Sequence, residues 1–106
     1  MNERRACQRF AMVLKVHYTT YYRRKPEARG TGEAVDMSSS GLRFRTDRLL
    51  QQGLKIQVVI SWPMPVGEGL QLEFVAWGTI IWTRGDEVGV QIVHHQFMTQ
   101  PAFTSE

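Results

Sequence analysis

At 106 residues the chain has the size of one domain, long enough to bury roughly two thirds of the surface its unfolded form exposes. Apolar residues make up 42% and charged ones 22%; this balance argues against disorder except at the ends, and no apolar run reaches the length of a membrane span. The net charge of +3 is unevenly held, because residues 1–30 carry eight Lys or Arg against two Glu and the remainder five against eight acids, so the front third attracts an anionic partner without identifying it.

The opening Met-Asn-Glu-Arg-Arg leads into mixed residues with no apolar signal core, and the single Cys7 has no partner for an internal disulfide. Both observations point to the cytoplasm. Residues 1–9 hold three arginines and no apolar period, which predicts an extended arm, mobile without ligand. Phe10, Met12, Leu14, Val16 and Tyr18 then alternate with Ala11, Val13, Lys15, His17 and Thr19, the clearest strand of the chain. Arg23-Arg24-Lys25-Pro26-Glu27 is expected to end its pairing through like charges and a proline.

Gly30 to Met37 reads as a shorter strand leading into the polar turn Asp36-Met37-Ser38-Ser39-Ser40-Gly41. Gly41 to Thr46 leaves that turn with Leu42 and Phe44 on one face and Arg43 and Arg45 on the other. Asp47 to Gly53 is a connection with room for one helical turn, from which Leu49 or Leu50 plugs the core. Leu54 to Trp62 is a strand that Pro63 to Gly69 breaks. Leu70 to Thr83 is a long apolar strand with Gly78 marking a bulge or bend where the buried face switches. Arg84 to Glu87 is a hairpin turn before a last strand through Val88, Val90 and Ile92. From His94 onward no strong pattern remains, and Pro101 lies in a tail expected as a short helix or a disordered end.

Six strand-like segments, no long helix and Gly- and Pro-rich turns predict an all-β fold, an antiparallel barrel or sandwich, with a six-stranded, Greek-key-like barrel preferred at this length. Closure is favoured because it removes the edges that short strands would expose. The expected organisation is a single domain: an arm over 1–9, a barrel over 10–95 and a tail over 96–106.

Two motifs carry chemistry. Arg5 and Arg9, spaced i and i+4, are by themselves an ordinary basic arm, and Asp36, Ser38 and Gly41 by themselves an ordinary turn. Together, on either side of one strand, they supply guanidinium forks, a carboxylate acceptor, hydroxyls and close-approach backbone, a set that suits a guanine nucleotide. Other constellations are weaker. His94 and His95 are adjacent on a strand and face opposite ways, so no metal site is expected. Ser38, Ser39 and Ser40 lack a nearby His, and no catalytic residue is expected. Trp62, Trp77 and Trp82 read as core or rim residues, able to stack on a base if exposed beside the arginines.

In this order the motifs resemble the PilZ domain family, in which RxxxR before the first strand and [D/N]xSxxG at a strand turn bind bis-(3′-5′)-cyclic diguanylate (cyclic di-GMP), a bacterial second messenger. Arg5-Ala-Cys-Gln-Arg9 and Asp36-Met-Ser38-Ser-Ser-Gly41 match without a gap, and the likeness extends over about residues 3–95. The resemblance implies a non-enzymatic receptor without cofactor. Arg5 and Arg9 would grip phosphates and the guanine O6/N7 edge, Asp36 would accept from guanine N1–H and N2–H₂, Ser38 would add a hydroxyl, and Gly41 would admit the ligand. Arg4 implies members that take a stacked ligand dimer, and Ser40, Arg43 and Gly89 are further candidates. No second domain and no membrane insertion are expected, so a separate effector protein would read the signal. Two rivals stand beside this reading: first, a barrel binding single-stranded nucleic acid through the arginines with Tyr21, Tyr22 or a tryptophan, although nucleic acid is not the expected partner, and second, a ligand-independent protein adaptor, against which the intact motifs speak.

Overall fold

The computed structural model describes residues 14–38, 40–67 and 69–101. Six strands run in chain order: β1 (Leu14–Tyr22), β2 (Lys25–Met37), β3 (Gly41–Thr46), β4 (Lys55–Gly67), β5 (Leu70–Arg84) and β6 (Glu87–Pro101). They close into a barrel in the order β1-β2-β3-β6-β5-β4. Every neighbouring pair is antiparallel. The connection from β3 returns the chain so that β4 lies beside β1, which is the Greek-key arrangement the strand pattern predicted. No helix is long and apolar enough to cross a membrane.

The period-two pattern explains the core. Leu14, Val16 and Tyr18 of β1 are buried while Lys15 and His17 face outward. They meet Leu42 and Phe44, Ile56, Val58 and Ile60, Phe74, Ala76 and Ile80, and Val88, Val90 and Ile92 in one cluster. Each fully buried side chain of this size contributes about 1.5–3 kcal/mol relative to exposure. The Tyr18 hydroxyl finds its partner in Thr46 Oγ1 at 3.1 Å, so its burial leaves no unsatisfied polar group. Leu50, not Leu49, packs against this core. Leu49 is 88% exposed.

Several boundaries differ from the sequence reading, each for a physical reason. β1 ends at Tyr22, ahead of the charged run, but β2 begins within that run, at Lys25, and not at Gly30. Arg23 and Arg24 take positive φ (54° and 71°) in a two-residue type I′ turn, whose twist matches the flanking strands, and Tyr22 pairs with Lys25 and Tyr21 with Pro26. The proline sits beside a register shift at the strand's start, where a missing N–H is tolerated. β4 likewise continues through Pro63 and Pro65 to Gly67, with register shifts against β5 at Ser61/Pro65 and Pro65/Gly67. Its pairing with β1 ends at Ile60, so among the described residues the prolines lie on an edge. The Asp47–Gly53 connection contains bends and a turn but no helical turn.

Of the tail expected over 96–106, residues 96–101 are strand instead, and 102–106 lie outside the described residues. β6 pairs with β5 as far as Pro101 opposite Leu70. Ring contacts of Phe74 with Phe97 (5.1 Å) and His95 (5.4 Å), and of Trp77 with His94 (5.1 Å), support this outer stretch. Its pattern was hidden by the unpaired Val93, left between the pairs Trp77–His94 and Gly78–Ile92. The register shift beside Gly78 is as expected, yet the buried face of β5 stays on Phe74, Ala76 and Ile80. The phase change belongs to β6. Gly78 is needed for close packing, since a Cβ there would lie 2.0 Å from the Gln91 carbonyl oxygen.

Candidate functional site

The polar turn between β2 and β3 begins with a bulge. Ala34 pairs with Phe44, but Asp36 pairs with Arg43, leaving Val35 unpaired. Strict alternation would turn Asp36 to the same face as Ala34; the extra residue brings it out beside Arg43. The turn is then tied down by its own groups. The Ser38 N–H donates to the Gly41 carbonyl (2.8 Å), and the Ile92 N–H donates to the Ser40 carbonyl (2.9 Å). The Ser40 N–H donates to Ser38 Oγ at 3.4 Å.

Pairing carries the site across four strands. Asp36 on β2 faces Arg43 on β3, Arg43 faces Gly89 on β6, and Gly89 faces Trp82 on β5. This outward row floors an open groove of about 220 Å³, bordered also by Met37, Ser38, Gly41 and Ile81. Asp36, Ser38 and Gly41 of the motif, with the further candidates Arg43 and Gly89, therefore come together around one groove. Ser40 lies on the turn but does not line the groove. Arg4, Arg5 and Arg9 lie outside the described residues.

The electrostatics run along the same face. Arg43 bonds the Asp36 carboxylate through Nη2 and approaches Glu87 Oε1 through Nη1 at 3.5 Å. Arg45 Nη2 holds the other Glu87 oxygen at 3.0 Å, and Arg45 Nε stands 3.6 Å from Asp86. Arg43 is thus fixed between two carboxylates and fixes Asp36 in turn. Trp82 rests where Gly89 lacks a side chain, for a Cβ on Gly89 would come within 2.2 Å of the indole. The Arg84 guanidinium stands 5.5 Å from the Trp82 ring centroid, within cation–π range. Gly89 therefore acts as the seat of Trp82.

The family model for the PilZ domain matches residues 3–100. The chain belongs to the PilZ domain family. It is a family of ligand-binding domains that takes in cyclic di-GMP receptors and is not generally catalytic. The comparisons with curated proteins and with solved structures found no match. Within this PilZ domain the described residues hold no group of three or more His, Cys, Asp or Glu placed to bind a metal ion.

Sequence reasoning missed Ile81 and Trp82 as groove walls and Glu87 as the buttress of Arg43. Trp82 was visible only as a residue that would stack if exposed. What places it is its pairing with Gly89 and the unpaired Ile81 beside it, where the register shifts between Ile80 and Trp82. Neither has a local sequence signal.

Proposed function

We propose that this PilZ domain is a cytoplasmic, non-enzymatic receptor for cyclic di-GMP, and that ordering of its arginine arm over the ligand passes the signal to an effector protein. The observation that carries the reading is the row Asp36–Arg43–Gly89–Trp82, with Ser38 and Gly41 at its edge. It joins a carboxylate acceptor, a cation, a hydroxyl and an aromatic plane, the groups that a guanine and its phosphate require. The groove is smaller than the roughly 300–1,000 Å³ of a pocket that encloses a whole ligand. A second wall must therefore come from elsewhere in the chain, and Arg5 and Arg9 are suited to it. Leu14 pairs with Ala34, two residues before Asp36, and the five residues from Arg9 to Leu14 can span no more than about 17 Å.

In this reading Asp36 accepts from guanine N1–H and N2–H₂, Arg43 holds that carboxylate in place, and Trp82 offers a flat apolar surface. Ser38 adds a hydroxyl contact. Arg5 and Arg9 bind phosphate oxygens and the guanine O6/N7 edge, and Arg4 supports a stacked ligand dimer. The test is isothermal titration with cyclic di-GMP at two salt concentrations, with GTP and cyclic di-AMP as controls. Saturable binding specific for cyclic di-GMP is expected. Arg5→Ala and Arg9→Ala should each weaken it roughly tenfold to a hundredfold, the equivalent of one lost charge-assisted hydrogen bond at about 1.5–3 kcal/mol. Unchanged affinity in both would remove the arm from the site, and affinity that grows with oligonucleotide length would point to single-stranded nucleic acid.

A further inference from the structure

The barrel carries a second basic surface, around the tip of the β1–β2 hairpin. Arg23 and Arg24 form the tip of the β1–β2 hairpin, Lys25 opens β2, and Arg29 follows on the same strand. Lys55 joins them, because Tyr21 pairs with Pro26 on one side and with Lys55 on the other. All five cations are exposed. Among the described residues none of them makes an ion pair, whereas Arg43 and Arg45 on the neighbouring β3 are both paired. The acid nearest the tip in sequence, Glu27, sits at the register shift between Thr20 and Tyr21 and is approached by the Thr20 hydroxyl at 3.5 Å.

Two features mark this tip as more than a solvated turn. Arg23 and Arg24 both hold left-handed backbone (φ 54° and 71°), where Asn-Gly would serve the turn better, and such strain concentrates at functional sites. Beside the cations lies a depression of about 290 Å³ walled by Tyr21, Trp77, Val93 and Lys55, with Val93 74% exposed. Cations next to an apolar hollow suit a ligand that has carboxylates beside a large apolar side chain. A nucleic-acid backbone would use the charges and leave Val93 uncovered.

We infer that the β1–β2 hairpin tip and the adjoining Tyr21–Trp77–Val93 hollow form a docking surface for an acidic protein segment anchored by one apolar side chain. The hollow shares no lining residue with the ligand groove. The hairpin tip lies at the other end of β2 from the Asp36 turn, while the row Lys55–Thr79–Gln91–Gly41 sets Lys55 three strands from Gly41, on the order of 14 Å at about 4.8 Å per strand.

The test uses the full chain and a fluorescein-labelled oligoglutamate peptide bearing a phenylalanine at one end, followed by anisotropy and by amide chemical shifts. The peptide should bind saturably at low salt and shift residues 21–29, Lys55, Trp77 and Val93. Replacing Arg23→Asn with Arg24→Gly removes two charges while giving the turn its preferred residues, so the fold is kept and affinity should drop at least tenfold. Arg5→Ala with Arg9→Ala should leave the set of shifted residues unchanged. Equal affinity in the hairpin variant, shifts confined to other residues, or no binding at millimolar peptide would overturn the inference. So would tighter binding at the same residues by an oligothymidylate of equal charge, which would make the surface a nucleic-acid site.

Discussion

A methyl group on Gly41 would meet the Val90 carbonyl oxygen at 3.6 Å and Ser38 Oγ at 4.0 Å, which are ordinary contacts, and Gly41 is not among the glycines with positive φ. Nothing among the described residues requires glycine there. Gly41→Ala should therefore leave stability within about 0.5 kcal/mol while weakening cyclic di-GMP binding tenfold or more, measured by denaturation and titration of the same sample. A large loss of stability with normal binding would make the glycine structural. Arg43→Ala should also separate the two readouts. Its ion pairs are about 40% exposed and contribute roughly 0–1 kcal/mol, but without it the Asp36 carboxylate loses its orientation, so affinity should fall, by less than in Asp36→Ala. The turn motif that supplies Asp36, Ser38 and Gly41 was legible because its residue types are poor strand formers. What could not be read was that Asp36 faces outward. That depends on Val35 being unpaired, and valine is an ordinary strand residue.

At the scale of elements, β3 was legible to the residue, since Gly41–Thr46 has clean alternation between a turn and a polar connection. β2, β4 and β6 run longer than their patterns because backbone pairing can continue where alternation fails: past Pro26, past Pro63 and Pro65, and past the unpaired Val93. A sequence pattern records which face is buried. It does not record whether a neighbouring strand is still there to pair with. Hydrogen exchange tests the outer part of β6 directly. Its pairing with β3 ends at Gln91, so among the described residues only β5 is beside it from Val93 onward. Antiparallel bonding to one neighbour protects every second amide, and residues 94–99 should show that alternation. Uniformly fast exchange there would mean the stretch is tail after all. The hairpin at the other end makes an opposite stability prediction: Arg23→Asn with Arg24→Gly should raise stability by about 1 kcal/mol, by relieving two left-handed arginines.

For the whole molecule, closure is the property that links stability to binding. The groove floor is a row of residues from four strands, so it exists only when β3 meets β6 and β5 meets β6 in register. Ligand that binds this assembled row, and not the unfolded chain, must stabilise the barrel by RT ln(1 + [L]/Kd), about 2.7 kcal/mol at a hundredfold excess over Kd. For a domain near this size, each kcal/mol raises the melting temperature by roughly 4–8 °C, so saturating cyclic di-GMP should raise it on the order of 10–20 °C. The variants divide by where they act. Asp36→Ala and Arg5→Ala with Arg9→Ala should abolish most of the shift with little change in the ligand-free midpoint. Gly78→Ala, which drives a Cβ to within 2.0 Å of the Gln91 carbonyl, should lower the ligand-free midpoint itself, because the β5–β6 pair must separate to admit it. A shift that survives in Asp36→Ala would mean that the ligand binds the barrel somewhere other than this row.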